Sequence, residues 1–231
     1  MSAPEPLAVV GAGPLAGEVV AAVAALNAAS DGPRFQVVGL FDDDPSSHGT
    51  LRHGHPVLGG IDEVVGLSDA RVVVCTGSPR NWWSRTLLVR RLGLDPERYA
   101  TVVHPDAALA HDTVIGPGSV VLAGCVATAA VRVGSHVIVM PQVVLTHDDV
   151  IGDGVTFGSG VRLGGGVVVE DGAYLGAGCL VREYARIGSW SLVGMGAMVL
   201  GDVPAAEVWV GQPARRLRGV DLPDGLLGGA S

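Results

Sequence analysis

An apolar residue returns at every sixth position through most of the C-terminal half of the chain. In a chain that is 48% apolar, sixteen consecutive matches would arise by chance at a frequency on the order of 10⁻⁵. The place four residues later is mostly small or β-branched, with Asp149 as the exception. The sixteen apolar positions are Leu109, Ile115, Val121, Ala127, Val133, Val139, Leu145, Ile151, Phe157, Leu163, Val169, Leu175, Val181, Ile187, Val193 and Val199.

This period predicts a short strand and a turn in every six residues, with the large and the small residue both pointing inward. Three such units would close a triangular coil, and sixteen units would give about five coils stacked by parallel hydrogen bonding. A β-sandwich is the alternative, but its strands are longer and unevenly spaced. The flat faces of a triangular prism, together with the preference of proteins for closed symmetry, predict a homotrimer.

Residues 1–103 show a different pattern, in which apolar strands alternate with helical stretches. Such alternation predicts a small parallel, Rossmann-like α/β sheet. The loops at the carboxyl ends of parallel strands meet at one edge, where ligands bind. The predicted strands are Leu7–Val10, Gln36–Phe41, Arg71–Cys75 and Tyr99–Val103, and the predicted helices are Glu18–Ala28 and Trp82–Leu92.

That edge carries the residues that we predict to bind substrate from this domain: Gly11, Gly13, Asp42, Asp43 and Gly77. The segment GAGPLAG departs from the strict dinucleotide fingerprint, and glycines at such a turn can be purely structural. The two aspartates are suited to accept hydrogen bonds from a ribose or a base. The alternative is that they form a solvated turn.

Composition excludes several classes of function. The net charge is −8 and the chain has no lysine, which argues against a nucleic-acid partner. The three cysteines, Cys75, Cys125 and Cys179, are too widely spaced for a disulfide framework or a zinc knuckle. The N-terminus lacks a basic segment, and no long apolar run is free of glycine or charge, so we expect a cytoplasmic protein without a membrane partner.

Several motifs together resemble the bacterial sugar O- and N-acyltransferases, which include sialic acid O-acetyltransferase and UDP-4-amino-sugar N-acetyltransferases. They are the opening VVGAG, LFDDD after the second strand, VVHPDA at the domain junction, the six-residue repeats, THDDVIGDG and the closing VWVGQPARRL. The resemblance implies an acetyl-CoA-dependent acyltransferase without a metal, whose sites lie between subunits of a trimer. It implies a substrate-binding α/β domain over 1–103, a left-handed β-helix over 104–210 and a tail over 211–231.

The resemblance also implies roles for individual residues. His147, in THDDVIGDG, is the expected general base, and Asp148 is expected to orient its imidazole. The residue chemistry agrees, since histidine suits general-base work and the inward Asp149 marks this repeat as abnormal. The alternative is that His147 is a solvated turn residue.

A CoA site is implied as well. Its glycines would allow close approach of pantetheine, and the closing GQPARRL would line the CoA tunnel, with two arginines for the phosphates. The alternative is an arginine-rich surface tail. The expected CoA-binding residues are Gly176, Gly194, Gly196, Gly211, Pro213, Arg215 and Arg216.

The chain departs from the family pattern at four positions. Pro14 and Leu15 replace the usual residues after the first glycines, Met140 stands where many relatives have asparagine, and Thr156 where some have histidine. We still count Met140 and Thr156 among the predicted substrate-binding residues. The departures leave open the acceptor, which is either a sugar or another specialised metabolite, as well as the acyl length and N- versus O-transfer.

Two other functions remain open at this level. His111, His136 and His147 could converge across a subunit interface as in a zinc hydratase of the β-helix type, although we expect His111 and His136 to be surface residues. The departures would also fit a non-catalytic binding scaffold. His48, His53 and His55 fall in what we predict to be a polar loop.

Overall fold

The computed structural model describes residues 3–223 and residue 226. Its N-terminal part is a five-stranded sheet in the order β3-β4-β2-β1-β5, parallel except for the β3–β4 pair. Three short 3₁₀ helices complete it, at Pro45–Ser47, Ile61–Gly66 and Pro96–Arg98. The elements are β1 (Glu5–Val10), α1 (Pro14–Ala29), β2 (Phe35–Phe41), β3 (Leu51–Arg52), β4 (His55–Gly59), β5 (Arg71–Val74) and α2 (Ser84–Leu92).

Three differences from the predicted α/β layout have local causes. The first helix begins at Pro14, because proline suits the first helical position, where no N–H partner is needed. The predicted polar loop contains the β3–β4 hairpin, whose tight turn has positive φ at His53 and Gly54. The predicted strand Tyr99–Val103 forms only at Val102–Val103, which pair with Val120–Val121 of the prism, while Tyr99 makes an isolated bridge to Val72 of the α/β sheet.

Most of the described residues after 101 form a parallel β-helix of the left-handed hexapeptide type. The repeat predicted the β-helix, and the family resemblance implied its left hand. Most of its strands are two residues long and pair with the strand 18 residues away, as Val120–Val121 do with Ile138–Val139. The second residue of each pair points inward, and Phe157, Leu175 and Ile187 are fully buried in the core. A triangular coil of three repeats is therefore confirmed.

The strands lie on three faces. The first face holds β7, β10, β13, β16, β19 and β22, the second β8, β11, β14, β17 and β20, and the third the remaining strands from β6 to β24. In chain order they are β6 (Val102–Val103), β7 (Ala108–Leu109), β8 (Val114–Ile115), β9 (Val120–Val121), β10 (Val126–Ala127), β11 (Arg132–Val133), β12 (Ile138–Val139), β13 (Val144–Leu145), β14 (Val150–Ile151), β15 (Thr156–Phe157), β16 (Arg162–Leu163), β17 (Val168–Val169), β18 (Tyr174–Leu175), β19 (Leu180–Val181), β20 (Arg186–Ile187), β21 (Leu192–Val193), β22 (Met198–Val199), β23 (Glu207–Val210) and β24 (Arg215–Gly219).

The α/β domain packs against the first coils of the third face of the prism. The outward side chains of Val102, Val120 and Ile138 are fully buried there and share one apolar cluster with α1 residues such as Val19. This packing brings the carboxyl edge of the α/β sheet against the coil. No helix in the described part of the chain is long and apolar enough to cross a membrane.

Candidate active site

A cavity of about 580 Å³ lies between the carboxyl edge of the α/β sheet and the third face of the prism. Loops after β1, β2 and β5 form one wall, and residues of β12, β15 and β18 with the turns after them form the other. Such a concave site with a few converging polar groups is typical of a small-molecule pocket. Among the predicted substrate-binding residues, the cavity is lined by Gly11, Gly13, Asp42, Gly77, Met140 and Thr156.

The two predicted aspartates have different places. Asp42 accepts hydrogen bonds from the backbone N–H groups of Ala12 (2.8 Å) and Asp44 (3.0 Å), so its carboxylate holds the glycine loop in position at the cavity wall. Asp43 does not line the cavity. It pairs instead with Arg91 at 2.6 Å, and that hydrogen-bonded guanidinium lowers the pKa of Asp43.

Arg85, near the start of α2, is a cavity residue that the sequence reasoning missed. Its guanidinium is fully buried and donates to the carbonyls of His136 (2.7 Å), Thr76 (2.9 Å) and Gly154 (2.9 Å), and to Thr156 Oγ1 at 2.7 Å. Burial lowers its pKa to about 10, so it stays charged at neutral pH. The sequence contains one indication that Arg85 is buried. Arg85 lies seven residues before the buried Leu92, and this spacing places both side chains on one face of α2.

Arg85 also fixes the role of Thr156. Because the hydroxyl oxygen already accepts from Arg85, and no described residue accepts its hydrogen, Thr156 is available as a donor towards the cavity. Glu18 of α1 lines the same space, and burial raises the pKa of its carboxyl group. The cavity is thus largely apolar, with one fixed cation and carboxylates at separate points on its wall.

His147 lies at the corner between the first and second faces, away from the cavity. Its Nδ1 atom is 2.9 Å from Oδ2 of Asp148, and its side chain is 57% exposed. The ring reaches the next coil, where Nε2 lies over the Cα of Gly165. A side chain at that glycine would occupy the place of the imidazole.

Asp149 explains why the repeat tolerates an inward carboxylate. The side chain is fully buried and accepts from the backbone N–H groups of Thr146 at 2.7 Å and Val167 at 2.9 Å. Burial raises the pKa of Asp149 to about 6, although both hydrogen bonds act in the opposite direction. The carboxyl group therefore ties the turn that carries His147 to the following coil.

The expected CoA glycines lie at the corner between the third and first faces. A Cβ on Gly176 would meet the backbone of Met195, so coil stacking alone requires glycine there, whereas one on Gly194 would crowd the side chain of Val210. A Cβ added at Gly196 would meet no atom within 4 Å. These residues and His147 are at different corners of the same chain.

The closing segment is only partly free for a ligand. Gly211 has a φ of +96°, which favours glycine, and Pro213 follows at the surface. Arg216 pairs with Glu207 at 2.7 Å, whereas Arg215 is exposed and, among the described residues, its side chain donates only to the adjacent Ala214 carbonyl. Residues 224, 225 and 227–231 of the predicted tail lie outside the described residues.

The three histidines of the zinc alternative differ in environment. His136 is not a surface residue, because its ring packs edge-on against Tyr99 at 4.5 Å, and burial beside Arg85 lowers its pKa to about 4. His111 is exposed at the same corner as His147. Within residues 3–223 and 226, no three His, Cys, Asp or Glu side chains come together as a metal site.

Comparison with known proteins gives a consistent set of structural relatives. No family model and no curated protein matches the sequence. The acetyltransferase domain of PglB from Neisseria gonorrhoeae FA1090, in complex with acetyl coenzyme A, has a TM-score of 0.80 and 26% identity over 93% of this chain and 100% of that chain. WeeI from Acinetobacter baumannii AYE has a TM-score of 0.76 and 27% identity, over 91% and 99% of the two chains.

PerB from Caulobacter crescentus, in complex with CoA and GDP-perosamine, is similar to the same extent. Its TM-score is 0.79, with 26% identity over 92% of this chain and 97% of that chain. Further structures of this perosamine N-acetyltransferase, with the same two ligands, carry a histidine replaced by asparagine or alanine.

Proposed function

Since the chain is an acyltransferase of the hexapeptide-repeat type, we propose that it moves an acyl group from acyl-CoA, most simply acetyl-CoA, to an amine or hydroxyl of a sugar or nucleotide-sugar acceptor. His147 is the general base. The observation that carries this proposal is the His147–Asp148 pair, which leaves Nε2 over Gly165 without a hydrogen-bond partner among the described residues, in a fold shared with CoA-bound acetyltransferases.

The reaction is a direct transfer. Nε2 of His147 takes the proton from the acceptor N–H or O–H, and the freed electron pair forms a bond to the thioester carbonyl carbon. The C–S bond then breaks, and the departing thiolate takes the proton from the imidazolium to give free CoA. Asp148 accepts the Nδ1–H bond, which keeps Nε2 unprotonated at the start.

The complete site needs two subunits of a homotrimer. In one chain the cavity lies on the third face and His147 at the opposite corner, so a neighbouring chain supplies the base. Packing between chains is supported by the first and second faces. They are not covered by the α/β domain, and they expose the apolar side chains of Val114, Val150 and Leu180. Light scattering should give three times the chain mass; a fully active monomer would contradict this arrangement.

Acyl-CoA lies between the corner of His147 in one subunit and the glycine-rich corner of the next. Gly194 and Gly196 face the pantetheine there, with Gly176 one coil earlier. The exposed Arg215 binds a CoA phosphate, with Arg216 beside it. Gly211 and Pro213 shape the turn that presents the two arginines.

The cavity is the proposed acceptor site, and its charges favour a second candidate within the same reaction. Pro14 has no N–H to offer at the start of α1, and the Glu18 carboxylate lines the wall. Both weaken binding of a diphosphate. The second candidate acceptor is therefore a specialised metabolite without a diphosphate. Calorimetry with GDP, UDP and dTDP distinguishes the two acceptors, since a nucleotide-sugar acceptor requires that one of these nucleotides binds.

The direct test is a thiol-release assay with acetyl-CoA and an acceptor panel that includes GDP-perosamine. His147→Ala should lower the rate by about 10²- to 10⁴-fold. His111→Ala is the matched control, because His111 occupies the equivalent place two coils earlier and is also exposed. Equal rates for wild type and His147→Ala would refute the assignment. Location in the cytoplasm is part of the same proposal.

A further inference from the structure

Two aromatic rings approach the same pair of glycines from opposite directions. Gly165 and Gly166 form the corner one coil after His147. The imidazole of His147 lies over Gly165, and the ring of Tyr184, from the following coil, lies over Gly166, where its Cδ1 atom would be 2.7 Å from an added Cβ. Because consecutive Cα atoms are about 3.8 Å apart, the two rings flank a single peptide unit.

Tyr184 is unusual for its position. Its φ of +61° falls in the left-handed region, which disfavours bulky side chains. Trp190 and His136 also combine a positive φ with a ring over a glycine of the previous coil, but Trp190 is buried and His136 is partly buried. The Tyr184 side chain is 75% exposed, and the phenol has no hydrogen-bond partner among the described residues. Neither core packing nor a hydrogen bond therefore accounts for a tyrosine here.

We propose that the ring of Tyr184 forms the wall of the acyl subsite and restricts the enzyme to short acyl groups. This inference rests on the proposed function, in which the thioester carbonyl lies beside Nε2 of His147. A thioester placed there has its acyl chain next to the Gly165–Gly166 step. The Tyr184 ring stands over the second of these glycines and occupies the space into which a longer chain would extend.

The glycines make this wall possible. Side chains at Gly165 and Gly166 would displace the two rings, so the bare step keeps the base and the tyrosine within one peptide unit of each other. In the proposed complex, an acyl group bound beside Nε2 meets the phenol ring. An acetyl group ends before the ring, whereas each further methylene must displace it.

The test compares acetyl-, butyryl- and hexanoyl-CoA as donors for wild type, Tyr184→Gly and Tyr184→Phe in the thiol-release assay. Glycine favours the φ of this position, so Tyr184→Gly should fold, and a thermal melt checks it. In Tyr184→Gly the ratio of kcat/KM for butyryl-CoA to that for acetyl-CoA should rise about tenfold, as expected for two methylenes admitted to an apolar site. In Tyr184→Phe, which keeps the ring, the ratio should stay within twofold of wild type.

The outcomes separate this inference from the proposed function. An active wild type, an inactive His147→Ala and an unchanged donor ratio in Tyr184→Gly would overturn the role of Tyr184 alone. A Tyr184→Gly protein that loses its assembly mass in light scattering would also overturn it, because the ring would then be a contact between subunits. A wild type that releases no thiol from any donor would overturn both.

Discussion

The Nδ1 atom of His147 and the Oδ2 atom of Asp148 lie 2.9 Å apart on consecutive residues of one corner. Neighbours in sequence can face each other in this way because Asp148 has a φ of +63°, which turns its side chain back along the corner. Aspartate tolerates this region better than most residues. Both side chains are exposed, so water screens the carboxylate, and its effect on the imidazole is one of orientation.

We therefore expect Asp148→Asn to lower kcat by about tenfold, less than the loss of the base itself. KM for acyl-CoA should change by less than a factor of two, since Asp148 does not bind the donor. Steady-state thiol release measures both. Asp112→Asn is the control, because Asp112 has the same place two coils earlier and its carboxylate accepts the N–H of Ala130 and no other donor in the described part of the chain. A loss of the same size in both variants would show a structural effect.

The buried carboxyl of Asp149 makes stability depend on pH in a defined direction. Its folded pKa is about 6, above the value of about 3.9 for an unfolded aspartate. Between these values the folded chain holds a proton that the unfolded chain has lost, so the free energy of unfolding falls as pH rises from about 4 to about 6. The full change is about 3 kcal/mol, and it is constant above that range.

Asp149→Thr provides the comparison, since threonine occupies this inward place at Thr113. Denaturant unfolding at several pH values should show a steeper fall over this range for wild type than for Asp149→Thr. Parallel curves for the two proteins would mean that Asp149 titrates normally in the folded chain.

The β-helix could be predicted from the sequence because its pattern is local. Inward positions recur every six residues from Leu109 to Val199 without an insertion, and each coil repeats the previous one. Counted from Leu145, the same regularity puts His147 in the turn between two strands. It also singled out Asp149, although the two backbone hydrogen bonds that stabilise its carboxylate appear only when coils are stacked.

The cavity could be predicted only in part, because it depends on how the α/β domain packs on the third face. Glycine loops and Asp42 were expected at the edge of the sheet, and Met140 and Thr156 came from the family resemblance. Arg85 joins these walls through partners about seventy residues away in sequence, and no local pattern reveals such pairings. Asp43, which was expected beside Asp42, pairs with Arg91 of α2, and that pairing also depends on how distant elements pack.

Arg85 should be more important for stability than its position in a cavity wall suggests. Arg85→Met would leave the carbonyls of His136 and Gly154 without their donor, at a cost of about 3 to 5 kcal/mol. Thermal unfolding should then shift down by about 10 °C for a chain of this size. Arg80→Met is the control, since the Arg80 side chain is exposed and has no partner among the described residues. Equal midpoints for the two variants would argue against this role.

Gly165 tests the placement of the imidazole without changing the base. A methyl group there would overlap the ring of His147, and since φ at Gly165 lies outside the left-handed region, alanine is tolerated by the backbone. The ring must then move away from the acyl donor. A displacement of about 1 Å can lower a rate by about 10²-fold, so kcat for thiol release from acetyl-CoA should fall by that order while the thermal midpoint changes little.

Gly201→Ala is a closely matched control for this variant. Gly201 occupies the same place two coils after Gly165, it also has an ordinary φ, and an added Cβ would meet no atom within 4 Å. Its activity should stay within twofold of wild type. If Gly165→Ala were as active as Gly201→Ala, the imidazole would not need its place over Gly165, and His147 would have to act from another rotamer. If both variants lost activity equally, the loss would belong to the corner as a whole rather than to the base.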